Sequence, residues 1–246
     1  MTNPYGEMSL VEHLTELRYR LIRALQGIVI GSVIGIYYSE FLMALIRKPI
    51  LPYLGADGGL VFTGVMDKFM AHLKVGALSG VILSCPYWLY HLWKFISPGL
   101  YKNERRYALG FILSGTVLFS MGVAFVYYFV YPIAFEYLMG FGGNIDKPMI
   151  TIDEYLGFFV ITTLMFGLSF ELPLVLLILA MLGVVDSAFL KQQRRYAVVI
   201  LAVVAALLTP PDVISMTMML IPLCLLYESS IWAIQLIVEK KPKNAT

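Results

Sequence analysis

The sequence predicts an all-α integral membrane protein with six transmembrane helices and both ends on the cytoplasmic side. Three observations lead there. Of 246 residues, 59% are hydrophobic and 14% charged, against roughly 25% charged in a soluble domain. The apolar residues fall in runs of the length that crosses a bilayer, about 20 residues. The lysines and arginines are divided unevenly between alternate connectors of those runs, the pattern that fixes orientation. Residues 1–246 read as one polytopic membrane domain without an internal repeat.

The elements follow in order. Residues 1–20 form a cytoplasmic amphipathic helix. Ser9 and Glu12 have the spacing of a capping box, and Leu10, Leu14, Leu17 and Leu21 recur on one face. A polar start containing Glu7, Glu12 and Glu16 is not a cleavable signal peptide. The first span is 21–46, with Glu40 its only acid, and it ends in a cluster of breakers from Pro49 to Gly59. The second is 72–94. The third, 107–136, is uncharged from Tyr107 to Phe135. The fourth, 154–184, carries Glu171 in its middle, with Pro173 expected to kink it. Thr209-Pro210-Pro211-Asp212 then divides the last region into 196–209 and 213–236. The fifth helix is only ~21 Å long at 1.5 Å per residue, short for a hydrocarbon core of ~30 Å. Either the bilayer thins there or the last pair is a re-entrant hairpin.

With the N-terminus inside, thirteen of the eighteen basic residues lie on the inner side, including Arg18, Arg20, Lys94, Lys102, Arg105, Lys191 and Lys240. Five lie outside: Arg47, Lys48, Lys68, Lys74 and Lys147. The excess assigns both termini to the cytoplasm. A net charge of +2 gives no support for nucleic-acid binding. Cys85 and Cys224 sit in apolar runs without a second ligand, so neither a metal site nor a cofactor is expected. An intramembrane enzyme needs a nucleophile–base pair or metal ligands inside a span, and none is present, so no catalysis is expected.

Three carboxylates stand out, each with two readings. Glu16 is four residues from Arg20, the spacing of a helical ion pair, or it belongs to a binding site on the inner face. Glu104 opens the third helix, where it compensates the helix dipole or serves the same site. Glu171 is a costly group inside an apolar span, either functional or protonated and hydrogen-bonded to a neighbour. Asp212 caps the sixth helix or acts in the outer turn.

Taken together, four motifs carry a resemblance. They are His13-Leu-Thr-Glu16-Leu-Arg18-Tyr-Arg20, Phe95-x-x-Pro98-Gly99-Leu100-x-x-x-Glu104-Arg105, Phe170-Glu171-x-Pro173 and Thr209-Pro210-Pro211-Asp212. In this order they resemble the TatC family, the core receptor of the twin-arginine protein translocase. The resemblance extends from about Ser9 to Glu228. It implies a glove-like fold with two short C-terminal helices in the inner membrane of a prokaryote. It implies binding of twin-arginine signal peptides of folded precursor proteins, and assembly in an oligomeric complex with single-span TatA- and TatB-type subunits and membrane lipid. Glu16 and Glu104 are implied to contact the arginine pair, with Phe95 as a wall of the pocket. Glu171 is implied as a polar point inside the membrane. Pro49, Arg18 and Asp212 match family positions and are read as structural or partner contacts. The alternative is an ion-coupled secondary transporter with Glu171 as proton carrier, although such transporters usually show internal repeats.

Overall fold

A computed structural model describes residues 10–54, 59–97, 108–140, 149–208 and 213–239. They are helical almost throughout, and the β structure among them is an isolated parallel bridge between Val61 and Thr151.

Helix α1, Leu10–Tyr37, is unbroken over 28 residues. At ~42 Å it crosses a ~30 Å core and still projects its first turns beyond it. The amphipathic segment and the start of the first span are therefore one rod. The chain turns at Tyr38 into α2, Ser39–Arg47. After the loop it returns through α3, Asp67–Leu83. Pro86, which has no N–H to continue the ladder, stands in the first turn of α4, Cys85–Ile96. There the axis bends by 56°.

Helix α5, Ala108–Phe125, passes through a wide turn at Val126–Val130 into α6, Tyr131–Gly140, forming one apolar run. Pro132 sits just after that turn, a usual reason for such a bulge. Helix α7, Ile152–Ser169, is capped by Thr151, whose hydroxyl accepts from the Glu154 N–H at 3.2 Å. It breaks at Phe170–Glu171, before Pro173 in the first turn of α8, Leu172–Met181. Gly183, at φ 73°, ends α8 with a left-handed residue that other side chains rarely adopt. Short α9, Ser187–Gln192, follows on an Asp186 cap. Helix α10, Arg194–Leu208, has 15 residues, or ~22 Å. Helix α11, Val213–Ile234, contains Pro222 and ends in a wide turn at Gln235–Glu239.

Among the described residues four helical runs are long and apolar enough to cross a membrane, and five if bent α3–α4 is one span. Helix α10 is short of that length, but α11 with its wide turn is one of the four, so the expected pair of short C-terminal helices is one short and one long.

The helices meet through small residues, as membrane helices do. Where α1 crosses α3, an added Cβ on Gly31 would stand 2.9 Å from the Gly80 carbonyl oxygen. Where α5 crosses α7, one on Gly122 would stand 2.7 Å from the Phe166 carbonyl oxygen. Between α5–α6 and α7 the core is aromatic. Tyr131 is fully buried and stacks on Phe159 at 4.5 Å. Its hydroxyl donates to the Phe159 carbonyl at 2.8 Å and lies 2.7 Å from the Thr163 hydroxyl.

The face opposite the N-terminus is tied into a rim. Val61 N–H donates to Ile150 O at 3.0 Å, and Ile152 N–H donates to Val61 O at 2.8 Å. Lys74 pairs with Asp153 at 2.6 Å. The last carbonyls of α2 are satisfied by phenols, Tyr127 on Leu45 at 2.9 Å and Tyr155 on Ile46. On the N-terminal face, Glu239 accepts from the N–H and hydroxyl of Ser187 at 2.9 and 2.8 Å, closing the end of α11 on α9.

Candidate functional site

The N-terminal motif lies in the first three turns of α1. Glu16 Oε1 accepts from Arg20 Nη2 at 3.1 Å and from Nε at 3.3 Å. Both side chains are mostly covered, at 18% and 19% exposure. The second oxygen, Oε2, is buried and makes no hydrogen bond. The helical ion pair that the spacing allows is present, and the second oxygen is left without a donor.

Phe95, the first residue of the second motif, is brought beside the first motif. The His13 and Phe95 rings stack, with centroids 4.6 Å apart and planes 21° from parallel. This contact joins the start of α1 to the last turn of α4. Residues 98–107, which carry Pro98, Gly99, Glu104 and Arg105, lie outside the described residues. Ser97, the last described residue before them, follows directly on α4. Phe95 also lines an apolar groove between α1 and α4, together with Leu17, Arg20, Trp88 and His91.

Arg18 is exposed on α1. Pro49 is half-buried in the turn between α2 and a 3₁₀ turn at Leu51–Tyr53, far along the chain from the Glu16 site. Asp212 lies outside the described residues.

Glu171 is 7% exposed, in the break between α7 and α8. Neither carboxylate oxygen has a hydrogen-bond partner, though both are buried. An added Cβ on Gly115 of α5 would stand 3.2 Å from Oε2, so α5 passes close against the group. Leu89 and Leu174 pack at the same place. A buried carboxylate without donors is costly and persists only for a reason.

His91, which the sequence suggests as an interfacial hydrogen-bonder, is instead buried in the fold. It is 6% exposed, its ring contacts Tyr87 and Tyr90 edge-on, and its Nδ1 is buried without a partner. The signal was available: Tyr87, His91 and Phe95 are spaced four apart and share one face of α4.

The description "Sec-independent protein translocase protein (TatC)" belongs to the family model that matches residues 12–222 of this chain. The chain belongs to the TatC family. A TatC from Desulforapulum autotrophicum is 41% identical over 233 residues, covering 95% of this chain and 86% of that protein. One from Carboxydothermus hydrogenoformans is 40% identical over 238 residues, covering 96% of each. A solved structure of the twin-arginine translocase receptor TatC in DDM is 35% identical, with a TM-score of 0.80 over 91% of this chain and 99% of that one. This TatC-family chain is thus a multi-pass membrane protein of a protein-transport system and a component of the twin-arginine translocase. The ion-coupled transporter alternative draws no support from these relatives.

Proposed function

We propose that this TatC-family chain is the receptor and core subunit that captures twin-arginine signal peptides at its N-terminal face. Glu16 and Glu104 each take one guanidinium, and Phe95 walls the pocket. The contact that carries this reading is the His13–Phe95 stack, which supports bringing the Glu16 motif and the connector of Glu104 to one locality. The arrangement at Glu16 supports it further. An incoming arginine competes with Arg20 for Oε1, and the buried Oε2 has no hydrogen bond to give up. A planar guanidinium offers the two parallel donors that a carboxylate accepts, whereas an ammonium does not. That difference is the source of discrimination between arginine and lysine pairs.

The excess of basic residues on the N-terminal face supports a cytoplasmic position for both ends and for this site. After capture the chain assembles with single-span TatA- and TatB-type subunits to export folded proteins. Glu171 acts at that later stage, its two unpartnered oxygens meeting a polar group of the peptide or of a partner helix.

Photo-crosslinking of a purified signal peptide tests the reading, comparing Arg-Arg with Lys-Lys. A charged hydrogen bond contributes about 1.5–3 kcal/mol. Glu16→Gln and Glu104→Gln should each weaken capture of the Arg-Arg peptide at least ~10-fold, and Lys-Lys should bind the unsubstituted protein as weakly. Wild-type capture by both variants removes the assigned site. Glu171→Gln should leave capture intact and lower export.

A further inference from the structure

The apolar groove between α1 and α4 runs from Leu17 to Ile28 on α1, with a volume of about 290 Å³, and lies open at the surface with Leu21 and Leu25 exposed. That stretch is ~16 Å along the helix, the thickness of one leaflet of a ~30 Å core. The almost wholly apolar lining of the groove suits a hydrocarbon chain of that length. The mouth of the groove is cationic. Arg20 lines it, and Arg20, Arg23 and Lys94 all act electrostatically on the His91 ring. Among the described residues the carboxylates at this end are Glu16, engaged with Arg20, and Glu12 one turn away. Arg23 and Lys94 are exposed, held over the Tyr19 and Tyr90 rings at 5.3 and 5.1 Å. Below them His91, more than nine-tenths buried, lines the groove with Nδ1 unpartnered.

We propose that this groove binds one anionic phospholipid of the adjacent leaflet, with an acyl chain between α1 and α4 and the phosphate between Arg23 and Lys94. Basic pockets between transmembrane helices are the usual form of such a site. The inference stands on groove dimensions and charge and does not depend on peptide capture.

Trp88 reports on it, because the indole lines the groove and its N–H is fixed on Val81 O at 3.1 Å. The full chain is placed in phosphatidylcholine nanodiscs containing small fractions of phosphatidylglycerol with brominated acyl chains, which quench tryptophan on contact. The Trp88 contribution is the difference from Trp88→Phe. Each cation near the surface favours an anionic lipid by about 5-fold. Brominated phosphatidylglycerol should therefore half-quench Trp88 at a fraction ~25-fold below brominated phosphatidylcholine. Arg23→Gln with Lys94→Gln, both exposed and harmless to folding, should bring the two lipids level. Ala24→Phe, filling the groove, should abolish Trp88 quenching. Soluble glycerophosphate should not compete, since it lacks the chain.

Equal quenching by the two lipids in the unsubstituted protein overturns the proposal, as does a preference that survives the double substitution. Competition by glycerophosphate makes this a phosphate site and overturns the lipid. Quenching seen only after removal of residues 1–9 means that the chain's own N-terminus fills the groove, which also overturns it.

Discussion

Replacing Gly80 by alanine perturbs the crossing of α1 and α3 where the backbones are closest. The new Cβ would lie 2.6 Å from Ile28 O and 2.7 Å from Ser32 N, with Ser32 Oγ nearer still. Two of these neighbours are backbone atoms of a long helix, so no rotamer change relieves them. The helices must separate by roughly 0.5–1 Å, and a gap of that size forfeits about a quarter to a half of each dispersion contact along the seam. Overpacking of this kind costs about 1–3 kcal/mol. Alanine returns about 0.5–1 kcal/mol through its better helix propensity, leaving a net loss of up to about 2.5 kcal/mol. Gly157→Ala is the matched control, because nothing lies within 4 Å of its Cβ and only the propensity gain of about 0.5–1 kcal/mol remains. Unfolding in mixed micelles titrated with sodium dodecyl sulfate, followed by circular dichroism, measures both. Gly80→Ala should unfold earlier than the unsubstituted chain and Gly157→Ala no earlier. A Gly80→Ala protein as stable as the parent, or equal losses in both variants, refutes close backbone contact as the basis of this crossing.

Tyr131→Phe removes a buried hydroxyl that bonds Phe159 O and Thr163 Oγ1. It should cost about 1–3 kcal/mol, read in the same titration. Glu228→Gln breaks an ion pair with Arg194 at 2.7 Å that is about half exposed on both sides. The loss should stay below about 1 kcal/mol and shrink with added salt. Asp67 accepts from the backbone N–H groups of Gly64 and Thr63, which hold its carboxyl below the usual range. Its contribution is therefore present above the unfolded value near pH 4 and fades as pH falls through the lowered folded value. Hydrogen exchange at Thr63 and Gly64 should accelerate only in that acid window, and Asp67→Ala should abolish the protection at every pH.

Apolar run length made most of the spans legible, because a hydrocarbon core demands it and almost nothing else satisfies it. Bends were less so. The turn at Tyr38 falls inside a run that reads as continuous from 21 to 46, and it has neither proline nor glycine to mark it. The bend at Cys85-Pro86 does carry a proline, but in an apolar run a kink and a straight proline-containing span look alike. The spacing Gly27, Gly31 and Gly35 against Gly76 and Gly80 was there to be read as a packing seam. Glu171 was conspicuous as a lone acid between Phe170 and Pro173, and the helix break that accommodates it follows from that proline. The stack of His13 on Phe95 was beyond reach, since the two rings are far apart in sequence and meet only because α1 and α4 cross.

The bridge from Val61 to Thr151 bears on how this chain can move. It fastens the strand of chain before α3 to the one before α7, and the Lys74–Asp153 pair lies alongside. The helices are joined at the other face too, where Trp93 of α4 packs on Phe111 of α5 with ring centroids 4.5 Å apart, so the bundle is held from both ends.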